Sequence, residues 1–301
     1  MDRKSFIKKS LIAGLAGTVI PAAMKVKEVN SHKSTYDKLM EQVGFNHLPA
    51  GQAGLPNQKG DITMNTVLHK ANTRGHANHG WLDSHHSFSF ANYHNPERMH
   101  FGVLRVLNDD VVDASKGFGT HPHDNMEIIS IPLEGDLEHK DSMGNIAVIK
   151  EGDVQAMSAG TGIFHSEYNK NKDKAVKFLQ IWIFPKERSI KPNYAQVSLK
   201  DIEKKNEFYQ VLSPYKNDQG VWIHQDAWFH LGKFDKETKT KYQVKKEGNG
   251  VYAFVLDGHV EIEGQSLGKR DGFGIWNVKD FKIEADKDSR VLLIEVPMQL
   301  S

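Results

Sequence analysis

From residue 64 onward the chain is a succession of short β-type runs separated by turns, and nothing else in it constrains the fold as tightly. Ser87-Phe-Ser-Phe90, Val103-Leu-Arg-Val-Leu107, Glu127-Ile-Ile-Ser-Ile131, Phe178-Leu-Gln-Ile-Trp-Ile-Phe184, Val251-Tyr-Ala-Phe-Val-Leu256 and Val291-Leu-Leu-Ile-Glu-Val296 are each too short for a helix and rich in β-branched or aromatic residues. Strands at this density, with few long amphipathic helices between them, predict an all-β sandwich or barrel. An internal repeat divides them. Leu133-Glu-Gly-Asp-Leu-Glu138 recurs as Leu256-Asp-Gly-His-Val-Glu261, an offset of 123 residues, and Glu151-Gly-Asp-Val-Gln-Ala-Met157 recurs loosely as Asp271-Gly-Phe-Gly-Ile-Trp276, an offset of 120. Two similar β units in tandem follow, with residues 64–190 expected in the first and 191–301 in the second.

The preceding residues read differently. Met1-Asp-Arg-Lys-Ser-Phe-Ile-Lys-Lys9 is basic and leads into an apolar, small-residue run over 11–24. That is the layout of an export signal and is too short for a stable membrane span. Arg3-Lys4-Ser5-Phe6-Ile7-Lys8 is similar to a twin-arginine signal with Lys4 in place of the second arginine. Residues 1–24 are therefore expected to direct export to the periplasm, with an uncleaved tail on a cytoplasmic protein as the alternative. Residues 25–63, apart from a short helix expected near 36–43, read as a linker.

Composition narrows the chemistry. The absence of cysteine removes thiolate metal sites, disulfides and thiol nucleophiles. Lys+Arg of 39 against Asp+Glu of 38 gives no basic footprint for nucleic acid or an anionic membrane, which leaves small molecules as the expected partners. Chemistry then rests on His, carboxylates and metal. Of 16 histidines, 11 fall between His69 and His165. His76, His79, His85, His86, His94 and His100 occupy a polar, aromatic-rich stretch and read as hydrogen-bonded or surface imidazoles. His121-Pro-His123 and His165-Ser-Glu167 are different, because residues i and i+2 of a strand point to one face. Together they offer three imidazoles and a carboxylate, a set suited to one first-row divalent ion with positions left open for substrate or oxygen. Glu127 has the same parity as His121 and His123 and is a second candidate to face inward. Gly160 and Gly162 are read as a turn that presents His165, and Gln180 and Trp182 share one face of a strand. Projecting the repeat places Val244 and Lys246 opposite His121 and His123, and Ala285 and Lys287 opposite His165 and Glu167, so the second unit is expected to lack ligands.

Gly119-Thr-His-Pro-His-Asp-Asn-Met-Glu127 with Gly135 resembles the first motif of the cupin superfamily, and Gly152 through Ser158-Ala-Gly160, His165 and Asn169 resembles the second. Ser158 stands where that pattern has proline. With Arg74-Gly-His-Ala-Asn-His-Gly-Trp-Leu-Asp83, His86-Ser-Phe-Ser-Phe-Ala-Asn92, Asp141-Ser-Met-Gly-Asn145 and Met157-Ser-Ala-Gly-Thr-Gly-Ile-Phe-His-Ser-Glu-Tyr-Asn169 included, the chain from about residue 64 to its end resembles the pirin family, particularly its bacterial members.

The resemblance implies a bicupin, two tandem β-barrels whose N-terminal barrel binds iron through His121, His123, His165 and Glu167. In cupins at large the carboxylate ligand comes from the first motif, Glu127 here; the closer pirin match gives the metal to Glu167 and leaves Glu127 a supporting role. Fe(II) is the expected ion, with Mn, Ni, Cu, Co and Zn compatible with the donors. Several bacterial pirins resemble quercetinases, which implies dioxygen and a small aromatic substrate of flavonol type, with Glu167 or Glu127 as the base. The alternative from the same resemblance is an iron-dependent binding or regulatory protein with a protein partner and no turnover.

Overall fold

The structure, a computed structural model, describes residues 63–300. The signal-like segment, the helix near 36–43 and all but the last residue of the linker lie outside the described residues. Among the described residues there is no α-helix, and no helix long and apolar enough to cross a membrane. Twelve strands precede residue 200: β1 (Asn65–His69), β2 (Gly75–Asn78), β3 (Leu82–His86), β4 (Leu104–Val112), β5 (Gly117–His123), β6 (Glu127–Glu134), β7 (Leu137–Asp141), β8 (Ile146–Ile149), β9 (Asp153–Ser158), β10 (Ile163–Asn169), β11 (Val176–Ile183) and β12 (Asn193–Ser198). Ten follow: β13 (Phe208–Ser213), β14 (Val221–Trp222), β15 (Trp228–Phe234), β16 (Thr238–Gln243), β17 (Asn249–Asp257), β18 (His259–Ile262), β19 (Gln265–Gly268), β20 (Gly272–Trp276), β21 (Asp280–Ala285) and β22 (Ser289–Pro297).

These make two barrels of one plan. In the first, a seven-stranded sheet in the order β12-β9-β6-β11-β4-β3-β2 faces a four-stranded sheet in the order β5-β10-β7-β8. In the second, β1-β20-β17-β22-β15-β13-β14 faces β16-β21-β18-β19. The bicupin expectation holds. The boundary at residue 190, however, does not divide the sheets. Strand β1, from the first stretch, pairs with β20 of the second barrel, and β12, from the second stretch, pairs with β9 of the first. Sequence patterning marks a segment as strand, but the free sheet edge it joins is chosen by tertiary packing.

The largest apolar cluster draws on both barrels, with Phe88, Leu104 and Ile129 from one and Phe229, Tyr252 and Ile294 from the other. It joins the two large sheets. A separate cluster around Phe234, Phe273 and Phe281 fills the second barrel. The first barrel holds only a small one, including Leu137, Val112 and Phe178, and much of its remaining lining is polar. Across its large sheet His86, Asn108, Gln180, Ser130 and Gln155 are cross-strand neighbours in a single row, all buried. A polar row costs free energy unless its atoms find partners, so this lining marks the barrel as a site.

Cross-strand register also relocates the repeat. Leu137 opposes Asn169 as Val260 opposes Ala285, and His165 opposes His121 as Phe281 opposes Tyr242. The counterparts of His121, His123, His165 and Glu167 are thus Tyr242, Val244, Phe281 and Ile283, all in or against the second barrel's apolar core. The projected Lys246, Ala285 and Lys287 are displaced because the turns between equivalent strands differ in length, which a constant offset cannot follow.

Candidate metal centre

Strand β5 forms an edge of the small sheet, which is where a strand can carry Pro122 without losing a ladder hydrogen bond. His121 and His123 flank that proline and point inward. On the neighbouring β10, burial alternates strictly, so that Ile163, His165, Glu167 and Asn169 face in while Phe164, Ser166 and Tyr168 face out. A bulge between His165 and Glu167 interrupts pairing with β5, yet pairing with β7 runs on unbroken, His165 opposite Asp141 and Glu167 opposite His139. Both ligand candidates therefore stay inside. The turn before β10 has Gly160 at φ 49 and Gly162 at φ 129. A Cβ on Gly160 would lie 2.0 Å from the Ile190 carbonyl oxygen, so the turn needs glycine for space as well as for conformation.

The three imidazoles meet. Ring centroids are 4.8 Å apart for His121 and His123, 4.4 Å for His121 and His165, and 4.8 Å for His123 and His165. One nitrogen from each lies within 4.8 Å of the others. His121 Nδ1 is 2.7 Å from the Gly119 carbonyl, which can only accept; Nδ1 thus carries the proton and Nε2 presents its lone pair. His123 Nε2 and both nitrogens of His165 are buried with no hydrogen-bond partner. Burial, reinforced by the neighbouring imidazoles, pushes His165 down to about 2 and His123 well below its ordinary value. Three converging imidazoles, with the buried nitrogens of His123 and His165 unpartnered, are a fitting set of donors for a divalent ion and a costly arrangement without one.

Glu167 is held from the large sheet. Ser130 Oγ donates to its Oε1 at 3.0 Å and Gln180 Nε2 donates to its Oε2 at 2.7 Å. Each oxygen keeps a lone pair, and the carboxylate falls within 4.8 Å of nitrogens on His165 and His139. Trp182, on the same face as Gln180, stands 5.0 Å from the His123 ring and walls that side.

A family model described as Pirin matches residues 67–183, and one described as Quercetinase C-terminal cupin domain matches residues 210–296. Quercetin 2,3-dioxygenase of Escherichia coli (strain K12) is 47% identical over 230 residues, spanning 76% of this chain and 98% of that one. The chain belongs to the pirin family. A pirin-like protein of Caulobacter vibrioides is 36% identical over 222 residues, spanning 73% and 95% of the two chains. The crystal structure of the bacterial pirin YhhW from Escherichia coli in complex with nickel(II) superposes with a TM-score of 0.73 at 45% identity, over 77% of this chain and 99% of that one. The fold extends to quercetin 2,3-dioxygenase from Acinetobacter baumannii, TM-score 0.65 at 21% identity, over 77% and 86% of the chains.

Within this pirin fold Glu127 does not join the centre. It pairs across strands with Ile183, whereas Ile128 pairs with Trp182, the residue that reaches His123. Cross-strand partners share a face, so Glu127 points away from the imidazoles. Ser158 Oγ donates to it at 2.6 Å, and burial pushes its carboxyl up to about 7 against the opposing effects of that bond and of the His224 backbone. The parity expected from His121 and His123 is lost because the chain passes from the small sheet to the large one between them, through a turn with Asn125 at φ 45. The structure adds His139 instead, fully buried, 5.3 Å from the His165 ring, with Nε2 3.1 Å from Asp141 Oδ2 and Nδ1 without a partner. His139 and Asp141 are a third i, i+2 pair, and that spacing was the signal for them. Burial works to raise Asp141, but hydrogen bonds from Asn145 and His139 outweigh it and hold the carboxyl below its ordinary value, so it orients the His139 ring as an anion.

Proposed function

We propose that the chain is a metal-dependent dioxygenase of the quercetin 2,3-dioxygenase type, acting on a flavonol or a related hydroxylated aromatic. The observation that carries the proposal is the convergence of His121, His123 and His165, with buried nitrogens of His123 and His165 unpartnered; relatives named quercetin 2,3-dioxygenase support it. His121, His123, His165 and Glu167 would hold the ion, Fe(II) in our reading, with Mn, Ni, Cu, Co and Zn suited to the same donors. When bound, such an ion would supply Lewis acidity for a substrate oxygen and for dioxygen.

The side chains divide the remaining work. Gln180 and Ser130 aim the Glu167 carboxylate into the barrel, where it takes the proton of the substrate hydroxyl as general base. Trp182 and the row through Asn108 and Gln155 shut the large-sheet side against bulk water, and the unpartnered Asn108 Oδ1, Gln155 Nε2 and Trp182 Nε1 offer hydrogen bonds to a hydroxylated ligand. On this reading the signal-like start of the chain serves export of the folded protein, which cell fractionation tests. An iron-dependent partner-binding protein is the second reading, favoured by the exposed Met143, Ile146, Phe164 and Tyr168 on and beside the small sheet.

Oxygen uptake on adding quercetin to iron-loaded protein separates the two. Uptake by the wild type, and none by His123→Ala or by free iron, is the expected result. A fully iron-occupied wild type that consumes no oxygen with quercetin refutes the quercetinase reading.

A further inference from the structure

A second convergence of ligand atoms lies on the β2–β3 hairpin, on the face opposite the barrel interior. The hairpin turns at Gly80 and Trp81, with Gly80 at φ 82, and the His79 N–H donates to the Leu82 carbonyl at 2.9 Å. Hydrogen-bonded pairs then alternate along the ladder, so that Ala77 with Ser84 is one and His76 with His85 falls between them. A pair in that position brings its side chains closest. The His76 and His85 rings stack 4.4 Å apart at 20°. Asp83, two residues before His85 on the same face, completes the group: its Oδ1 lies 2.8 Å from His76 Nε2 and 3.6 Å from His85 Nδ1. One ligand atom from each residue lies within 4.8 Å of the others.

The surroundings leave the group free to act. All three side chains are open to solvent, 51%, 43% and 37% for His76, Asp83 and His85. Across the strand from His85 stands Asp109, engaged by Arg74 at 3.2 Å and Arg270 at 2.9 Å, so the nearest guanidinium is already paired. On the opposite face of β3, Ser84 bonds both His86 and Asp110 inside the barrel, and these residues take no part.

We propose that His76, Asp83 and His85 form a second divalent-metal site, separate from the barrel centre, that takes a borderline ion such as zinc. Two imidazoles and one carboxylate suit zinc, nickel or copper(II), and a three-residue set leaves at least one position for water. β2 is the outermost strand of its sheet. An ion shared by His76 of β2 with Asp83 and His85 of β3 clamps that edge, and because only the folded hairpin assembles the three ligands, binding stabilises it. The inference does not rest on the reaction proposed above.

The test is equilibrium dialysis of the metal-stripped full chain against Zn(II) alone, comparing wild type, Asp83→Asn, His85→Ala and His123→Ala, with circular dichroism as the check on folding. We expect two ions per wild-type chain. His85→Ala should retain the barrel ion, and His123→Ala should retain the hairpin ion. Asp83→Asn, which preserves shape at an exposed position, should weaken the hairpin ion by about tenfold or more. Equal zinc uptake and affinity in wild type, Asp83→Asn and His85→Ala would overturn the site, as would a single wild-type ion lost with His123→Ala.

Discussion

Replacing Glu127 by Gln removes a charge the fold holds at a cost. The carboxyl has no solvent exposure, and burial raises it from 4.5 to about 7. An acid raised on folding binds its proton more tightly in the native state. Between those two values the native chain is protonated and the unfolded chain is not, so stability falls as pH rises through the window and levels off above it. Each pH unit is worth about 1.4 kcal/mol, which makes the total about 3 kcal/mol once pH passes 7. Gln keeps an acceptor for the Ser158 hydroxyl and adds an amide NH2 that needs a partner, a cost of about 1 kcal/mol at any pH. The variant should therefore be slightly less stable than wild type near about pH 5 and about 2 kcal/mol more stable near about pH 8. Urea unfolding of both proteins across that range, metal-free, measures the difference. His165, His86 and His69, all lowered chiefly by burial, act in the opposite sense, adding stability as pH rises toward 6.5, but they are common to both proteins and cancel. A stability difference that does not change with pH would refute the reasoning. So would loss of metal, since the strand face of Glu127 is not that of the imidazoles.

Two further substitutions probe the centre. Gln180→Leu removes the donor to Glu167 Oε2, a charged bond of about 1.5–3 kcal/mol; metal content should persist while quercetin-dependent oxygen uptake falls roughly 10–100-fold, and unchanged uptake would mean that Glu167 does not depend on being held. Gly160→Ala meets the Ile190 carbonyl at 2.0 Å, whereas Gly152→Ala at φ 84 has nothing within 4 Å. The second should cost about 1–2 kcal/mol of strain alone. The first should cost clearly more in urea unfolding and weaken metal binding, because the Gly160 carbonyl also accepts the Asn125 N–H at 2.9 Å and so ties the turns before β6 and β10 together.

Much of this was legible in the sequence because a strand's period is local. The runs at Val103, Glu127, Phe178, Val251 and Val291 all became strands, and the two i, i+2 pairs delivered their side chains to one interior. What was lost depends on geometry between strands. Glu127 shared parity with His121 only if the chain stayed in one sheet, and it crosses to the other at Asn125. Strands β1 and β12 carry ordinary strand patterns that say nothing of which barrel's edge they close. His139 stood among charged neighbours on β7, where its i, i+2 spacing to Asp141 was the one available signal, and its pairing with Glu167 fixes its inward direction.

The two barrels show why ligand types alone do not make a metal centre. Strands β10 and β21 alternate in the same way, with Ile163, His165, Glu167 and Asn169 facing in on one and Phe281, Ile283 and Ala285 on the other. The second barrel also buries a carboxylate. Its Glu295, fully buried, accepts from the Lys245 and Lys246 backbone N–H groups, from Asn249 Nδ2 and from the Tyr242 hydroxyl at 2.9–3.1 Å. Those donors occupy its oxygens with protein groups and oppose the burial that raises the carboxyl above its ordinary value, and Tyr242 occupies the position that corresponds to His121. In the first barrel His123 and His165 bring buried nitrogens with no such donors or acceptors. An apolar lining with one satisfied carboxylate stabilises a barrel by itself, whereas unpartnered imidazoles stabilise it only with a cation among them. On the proposed reading the one fold serves twice in this chain, once with its buried carboxylate held by protein donors and once with imidazoles that an ion would complete.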